Sequence, residues 1–337
     1  RWGIYACFLD LSKAFDLVNY DILWQKLKNA GVPNEMYRIL KYWYNNQINV
    51  VRRAESYSLP YRMECGVRQG GLTSPKLFNL YVNALIETLS STHIVIGCHI
   101  DEMCINNISY ADDMVLLSAS VCGLTKLLSI CENYAQSHGL IYNVKKSECM
   151  VFRARSKSVP STVPPIKLYG TPLTRVEQFK YLGHVITSDL KDDADIERER
   201  RALSVRANMI VRRFARCSVP VKITLFRAYR TSFYTSSLWV NYTQKQYSAL
   251  RVQYNNAFRM LLGLLRFCSA SGMFAEARVD CFYTTMRKRC TFLSRRVRAS
   301  SNAILSTLAE RLDCLYLNHC GMIHVQTNRS TLRLARF

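Results

Sequence analysis

Two short acidic segments are where this sequence can do chemistry. Asp10 closes the apolar run Ile4-Tyr5-Ala6-Cys7-Phe8-Leu9, and Asp112 and Asp113 follow Tyr110-Ala111 between two further apolar runs. Carboxylates are hard oxygen donors, and Mg²⁺ takes a few of them while keeping some of its waters. Two such ions about 3.5–4 Å apart hold the attacking and leaving oxygens of a phosphoryl or nucleotidyl transfer. That reaction asks for charge neutralisation and positioning more than for covalent chemistry. Acids at strand ends and hairpin tips suit it, because the backbone is fixed there and the outward side is open. Taken singly, each acid also reads as a strand-end cap or as ordinary turn chemistry.

The elements that must hold these acids follow from the apolar periodicity. Ile4 to Leu9 reads as a buried strand. A helix follows, with Asp21 as cap, Ile22, Leu23 and Leu27 on its face, and Gly31 and Pro33 at its end. A second helix is expected over 34–45, then strands over Ile48 to Arg53 and Tyr61 to Val67. Gly70-Gly71 is a loop, and Pro75 suits the first turn of a helix carrying Leu77, Phe78, Leu80, Tyr81, Leu85 and Leu89. Ile105 to Tyr110 and Met114 to Ser118 form a hairpin with the acidic pair at its tip. Leu124 to His138 is helical and stops at Gly139. Strands are expected near Ile141–Asn143, Cys149–Arg153, Ile166–Leu168 and Phe179–Thr187, with a Pro-rich loop over Val159 to Pro165. From Ala194 onward the pattern is helical, with a break near Leu265.

The chain has 337 residues and a formal net charge of +22, which points to a polyanionic partner. The charge is uneven: Ile196 to Ser300 holds 21 Lys and Arg against 4 Asp and Glu, while Arg1 to Asp195 is nearly balanced. The first part is therefore free to hold an acidic site and the second to hold a polyanion. No run of about 18 apolar residues marks a membrane span, and no signal peptide is visible. The 13 cysteines are scattered without a framework spacing and read as reduced core residues of an intracellular protein. Cys314, His319, Cys320 and His324 lack the close Cys pairs of a structural zinc site.

Five ordered motifs add to this reading: Phe8-Leu9-Asp10-Leu11-Ser12-Lys13-Ala14-Phe15-Asp16; Gly66-Val67-Arg68-Gln69-Gly70-Gly71-Leu72-Thr73-Ser74-Pro75; Tyr110-Ala111-Asp112-Asp113; Gly139-Leu140 with Asn143, Lys146 and Ser147; and Tyr181-Leu182-Gly183-His184. In this order, over roughly Ile4 to Thr187, the chain resembles the reverse transcriptases of non-LTR (LINE-type) retrotransposons. The resemblance implies an α+β fold: a palm of antiparallel sheet and packed helices over 1–190, a helical thumb over 191–265 and a helical tail over 266–337. It implies an RNA-directed DNA polymerase using two Mg²⁺ ions, with Mn²⁺ as a substitute, an RNA template, a DNA primer and dNTP, acting in nucleus or cytoplasm without a membrane.

The same resemblance assigns roles. Asp10 and Asp112 are the principal metal ligands with the Leu11 carbonyl, and Asp113 supports them. Phe15 is the steric gate against a 2′-hydroxyl. Gln69 and Gly70 line the nucleotide and template pocket, Lys146 stands near the departing pyrophosphate, and Tyr181, Leu182 and Gly183 form the primer grip. Beside these roles stand plainer ones: a core aromatic for Phe15, a strand-to-helix turn for Gln69 and Gly70, a surface lysine for Lys146. Arg1 leads straight into a strand, so the chain is expected to be a fragment, with fingers and an endonuclease on an upstream part. Tyr20 stands where many relatives carry a histidine. An RNA-dependent RNA polymerase is disfavoured by Phe15 and Ala111. The competing reading of another class is an inactive remnant that only binds nucleic acid.

Overall fold

The apolar run at the start of the chain forms β1 (Ile4–Asp10), the central strand of a five-stranded sheet, in a computed structural model that describes residues 3–92, 96–152, 163–230 and 233–323. Tyr5 to Leu9 are all buried, as expected of a strand covered on both faces. After it come α1 (Tyr20–Asn29), α2 (Asn34–Asn45), and four two-residue strands: β2 (Ile48–Asn49), β3 (Arg52–Arg53), β4 (Ser56–Tyr57) and β5 (Tyr61–Arg62). Then follow α3 (Ser74–Ser91), β6 (Cys98–Ile100), β7 (Met103–Ile105), β8 (Asn107–Tyr110), β9 (Asp113–Ser118) and α4 (Val121–Ser137). Four short elements complete this part: β10 (Glu148–Phe152), β11 (Lys167–Leu168), β12 (Thr171–Pro172) and β13 (Thr174–Arg175).

The main sheet has the order β13-β10-β1-β9-β8, antiparallel except for β10 with β13. Side chains alternate between faces along a strand. One face, with Tyr5, Cys7, Leu9, Met114 and Leu116, packs against α3 and α4 through Phe78, Tyr81, Leu85, Leu127 and Cys131. Asp10 shares the opposite face with Ala6 and Phe8. The helices are tied to one another as well as to the sheet: the Tyr81 hydroxyl donates to the His138 carbonyl and accepts from the Asn19 amide.

The chain divides into two compact units, Arg1–Glu177 and Gln178–Phe337, each with its own apolar core. The second contains the hairpin of β14 (Gln178–Tyr181) and β15 (His184–Thr187), then α5 (Asp193–Arg213), α6 (Val219–Arg230), a 3-10 turn (Ser236–Leu238), α7 (Gln244–Leu262), α8 (Ala270–Glu276), α9 (Phe282–Arg298) and α10 (Ala303–Glu310). Ile196, Leu203, Ala207 and Ile210 of α5 recur at helical spacing and meet Leu250, Tyr254, Ala257, Phe258 and Leu261 of α7. Phe226, Phe233 and Trp239 are core residues, whereas Tyr234 is exposed.

By compactness the chain divides at 177, and the Tyr181–His184 hairpin lies in the second unit. Within that unit Met273, Phe274, Phe282 and Met286 pack with Tyr254 and Phe258, across residue 265. Several local expectations are corrected. The cap of α1 is Asn19, whose side chain accepts from the Ile22 amide, and not Asp21. The strands expected over 48–53 and 61–67 are reduced to two-residue ladders. Tyr142 makes only a single bridge, to Leu11, where a strand was expected. Part of the Pro-rich loop and His324 lie outside the described residues. Among the described residues, no helix is long and apolar enough to cross a membrane.

Candidate active site

The register of the sheet, which no local pattern reveals, sets the geometry of the acids. Asp10 lies directly opposite Asp113 where β1 pairs with β9. Directly opposed residues share a face, and that face is the one not packed on α3 and α4. Tyr110 is the other neighbour of Asp113, so β8 and β9 are joined by the two-residue turn Ala111-Asp112. Ala111 has φ 54°, a left-handed conformation uncommon for a residue with a Cβ. The sequence places both acids at the tip; in the structure Asp112 is in the turn, and Asp113 begins the strand facing Asp10.

The backbone of Asp10 is fastened on its other side by the segment 141–147. The Asn143 amide donates to the Asp10 carbonyl at 2.8 Å, and the Ser12 amide donates to the Ile141 carbonyl at 2.8 Å. The Asp10 amide donates to Oγ of the buried Ser147 at 3.2 Å. These bonds use the carbonyls of Asp10 and Ile141 and leave the Leu11 carbonyl outside the bridge. The Asn143 side chain closes the following turn by accepting from the Lys145 and Lys146 amides at 3.1 and 3.3 Å. As a result Lys146 Nζ stands 3.8 Å from Asp10 Oδ2. Asn143 and Ser147 were only landmarks in the sequence; their staple on Asp10 depends on a contact 137 residues away in the chain.

Electrostatics single out Asp113. Burial pushes its carboxyl above the usual range, and the neighbouring charges of Asp112 and Asp10 push it further. Among the described residues no group of three or more His, Cys, Asp or Glu side chains is drawn together closely enough to hold a metal ion. The expected set of Asp10, Asp112 and Asp113 is therefore not such a group. The donor chemistry nonetheless fits a hard dication: the set is all oxygen, and the repulsion that raises Asp113 is the kind a divalent charge relieves.

Phe15, half-buried, stacks on Phe78 with ring centroids 4.8 Å apart, so its ring is partly a core aromatic. The loop carrying Gln69 is pinned beside it. The Val67 amide donates to the Phe15 carbonyl at 2.7 Å, and Gln69 Nε2 donates to Asp16 Oδ1 at 3.3 Å. Gly66 makes this approach possible: with φ +94°, a Cβ there would lie 2.8 Å from the Asp16 carbonyl oxygen. Gln69 and Gly70 border a cavity of about 540 Å³ together with Trp43, Tyr44, Gln47 and Arg68. Phe15 is not among the lining residues. The aromatic and Arg68 contributions were not read from the sequence, since α2 is distant in the chain and its apolar spacing signals only an amphipathic helix.

In the second unit Tyr181 and His184 close a two-residue turn, with Leu182 at φ 45° and Gly183 at φ 84°. Two left-handed residues match the twist of a tight hairpin. A network absent from the sequence reading anchors this turn. Asp195, fully buried, accepts from the Val185 amide at 3.0 Å, Arg198 Nε at 2.7 Å, Thr235 Oγ1 at 2.7 Å and Trp239 Nε1 at 2.8 Å. His184 Nδ1 lies 3.3 Å from the same carboxylate.

An antiparallel sheet backed by helices on one face, with acids at the end of its central strand and on the adjoining hairpin, defines the palm of a template-copying polymerase. Residues 3–186 match the family described as "Reverse transcriptase (RNA-dependent DNA polymerase)", and the chain belongs to that family. Over 55% of its length it is 31% identical to a "Retrovirus-related Pol polyprotein from type-1 retrotransposable element R2" of Nasonia vitripennis, of which it covers 18%. Over 76% of its length it is 26% identical to a "Probable RNA-directed DNA polymerase from transposon BS" of Drosophila melanogaster, of which it covers 28%. The chain thus spans a minor part of each of these relatives. Among solved structures, apo telomerase from Candida tropicalis aligns over 96% of this chain and 48% of that one, at 12% identity and a TM-score of 0.44.

Proposed function

We propose that this chain carries the RNA-directed DNA polymerase activity of a non-LTR (LINE-type) retrotransposon, adding deoxynucleotides from dNTP to a primer 3′-hydroxyl on an RNA template. The family match over 3–186 carries this reading. The facing of Asp10 and Asp113 on the side of the sheet opposite α3 and α4 supports it. In this reading Asp10, Asp112 and Asp113, with the Leu11 carbonyl, hold two Mg²⁺ ions, or Mn²⁺ in their place. When bound, the ions neutralise charge on the transferred phosphate and ease deprotonation of the primer hydroxyl.

The chain's own groups do the rest. Ser147 and Asn143 hold the Asp10 backbone still, which keeps its carboxylate from drifting as charge builds nearby. Lys146 keeps an ammonium beside the departing pyrophosphate, balancing its charge or donating a proton. Phe15 underlies the sugar and leaves no room for a 2′-hydroxyl. Gln69 and Gly70 line the base pocket, and Tyr181, Leu182 and Gly183 steady the primer backbone. The basic second unit meets phosphates, so binding weakens as salt rises. An endonuclease on another part of a longer polyprotein supplies the primed DNA end.

The test is primer extension on an RNA template with Mg²⁺. Asp112→Ala and Asp10→Asn are each expected to lower the rate about a hundredfold or more, and Phe15→Ala to admit ribonucleotides. Extension indifferent to both acid substitutions sinks the metal assignment. A chain that shifts primer–template but never extends it leaves the second reading, nucleic-acid binding alone, which the uneven basic charge favours.

A further inference from the structure

Within the second unit a groove of about 670 Å³ runs between the Tyr181–His184 turn and one side of α9. Its chemistry is mixed in a particular way. Tyr234 and Phe292 line it, and they are 70% and 64% exposed, whereas Phe226, Phe233, Tyr254, Phe258, Phe274 and Phe282 of this unit fill the core. The Tyr234 ring lies against Gly183, 3.8 Å from where a Cβ would sit. One edge of the ring is thus seated on the hairpin while most of its surface stays open. Phe292 carries the Arg296 guanidinium over its ring at 5.7 Å from the centroid. Lys288, Arg289 and Arg296 share the wall with one acid, Asp280, which holds Lys288 Nζ at 2.8 and 2.9 Å.

The charge of α9 differs from that of α5. On α5 four of the six arginines pair with acids of the same helix: Arg198 with Asp195, Arg200 and Arg201 with Glu197, Arg206 with Glu199. The sequence of α9 contains Arg287, Lys288, Arg289, Arg295, Arg296 and Arg298 and no acid at all. Its 17 residues extend about 25 Å. Of these, Lys288, Arg289 and Arg296 line the groove and span about 12 Å, so beside two open rings they complement a short strand better than a single nucleotide. A duplex keeps its bases stacked inside and offers such a surface phosphates only, whereas a single strand presents bases to stack on exposed rings.

We propose that this groove is a binding site for single-stranded nucleic acid, with bases stacking on Tyr234 and Phe292 and phosphates meeting Arg296 and the neighbouring cations of α9. The proposal rests on the nucleic-acid reading of the chain and adds to it a strand type, a place and two stacking residues.

The experiment measures binding of a fluorescent oligonucleotide by anisotropy, single-stranded or annealed to its complement, at one fixed salt concentration and with the full chain. Tyr234→Ala and Phe292→Ala each weaken single-strand binding about tenfold and leave duplex binding unchanged. Phe292→Trp restores the affinity, because a ring face is returned. Phe267→Ala, an aromatic 84% exposed away from the groove, has no effect. Both groove rings are exposed, so the variants fold, and thermal melts confirm it. Unchanged single-strand binding in the double alanine variant overturns the proposal, as does an equal loss for single strand and duplex. Competition by dATP as strong as by the oligonucleotide overturns it too, replacing the strand with a mononucleotide. Binding is read without extension, so the two readings fail separately. Ring-dependent binding in a chain that never extends a primer removes the polymerase reading alone, and extension with ring-independent binding removes the groove alone.

Discussion

Replacing Asp195 with alanine tests whether the hairpin is held by one buried carboxylate. This side chain is 0% exposed and joins three segments: the hairpin through Val185 and His184, α5 through Arg198, and the region of the 3-10 turn through Thr235 and Trp239. Burial by itself pushes its carboxyl upward. The adjoining His184 ring and hydrogen bonds from Arg198, Thr235 and Trp239 outweigh that and hold it far below the usual range. Asp195→Ala strands the buried donors of Trp239 and Thr235, each costing about 1–3 kcal/mol, and leaves Arg198 without its closest counter-charge. Removing one partner from such a buried network costs about 3–5 kcal/mol in total. For a unit of this size that lowers the Tm by about 10 °C. Asp195→Asn keeps an acceptor oxygen and falls between the two. The assay is urea denaturation followed by far-UV circular dichroism, repeated across pH. A depressed folded pKa lends stability that is complete above the unfolded value of about 3.9 and is lost as pH falls toward the folded value. The wild type therefore shows a steeper acid-side decline than Asp195→Ala, which keeps only the decline from other lowered carboxyls such as Glu197. An alanine variant within about 1 kcal/mol of wild type, with the same acid slope, refutes the reasoning.

Two glycines of the Gln69 loop make a paired test. Gly66→Ala places a Cβ 2.8 Å from the Asp16 carbonyl at φ +94° and is expected to cost about 2–4 kcal/mol, read by denaturation. Gly70→Ala meets nothing within 4 Å at φ +80° and costs only about 1–2 kcal/mol from the left-handed backbone; equal losses would show that close approach is not what Gly66 provides. At the acidic face, the raised carboxyl of Asp113 means that ionising it destabilises the fold, so Asp113→Asn is more stable than wild type at neutral pH in a chelator. That advantage fades as pH falls through the raised folded value and is gone below about 3.9, where both states of the wild type are protonated. It also shrinks when Mg²⁺ is added, which stabilises the wild type more than the variant; identical Mg²⁺-induced shifts in Tm would remove Asp113 from the cation site.

Local pattern alone determined a good part of this protein. The buried strand ending at Asp10, the helix over 34–45, Pro75 in the first turn of α3 and the hairpin around Ala111 all follow from periodicity and turn chemistry, which are properties of neighbouring residues. The five ordered motifs were enough to identify the family that the match over 3–186 bears out. What the tertiary structure decided is of another kind. Whether Asp112 or Asp113 faces Asp10 is a matter of register, and a shift of one residue turns every side chain to the other face. The staple of Ser147 on Asp10, the presence of Trp43 beside Gln69 and the closing of four donors on Asp195 join residues far apart in the chain. The same distance effect separates the core aromatics of the basic region from Tyr234 and Phe292, because helical spacing tells which residues share a face but not what that face meets. Asp10 and its acidic companions were therefore legible as a kind of chemistry, while the face they share, and the groups that hold them there, depend on strand pairing across more than a hundred residues.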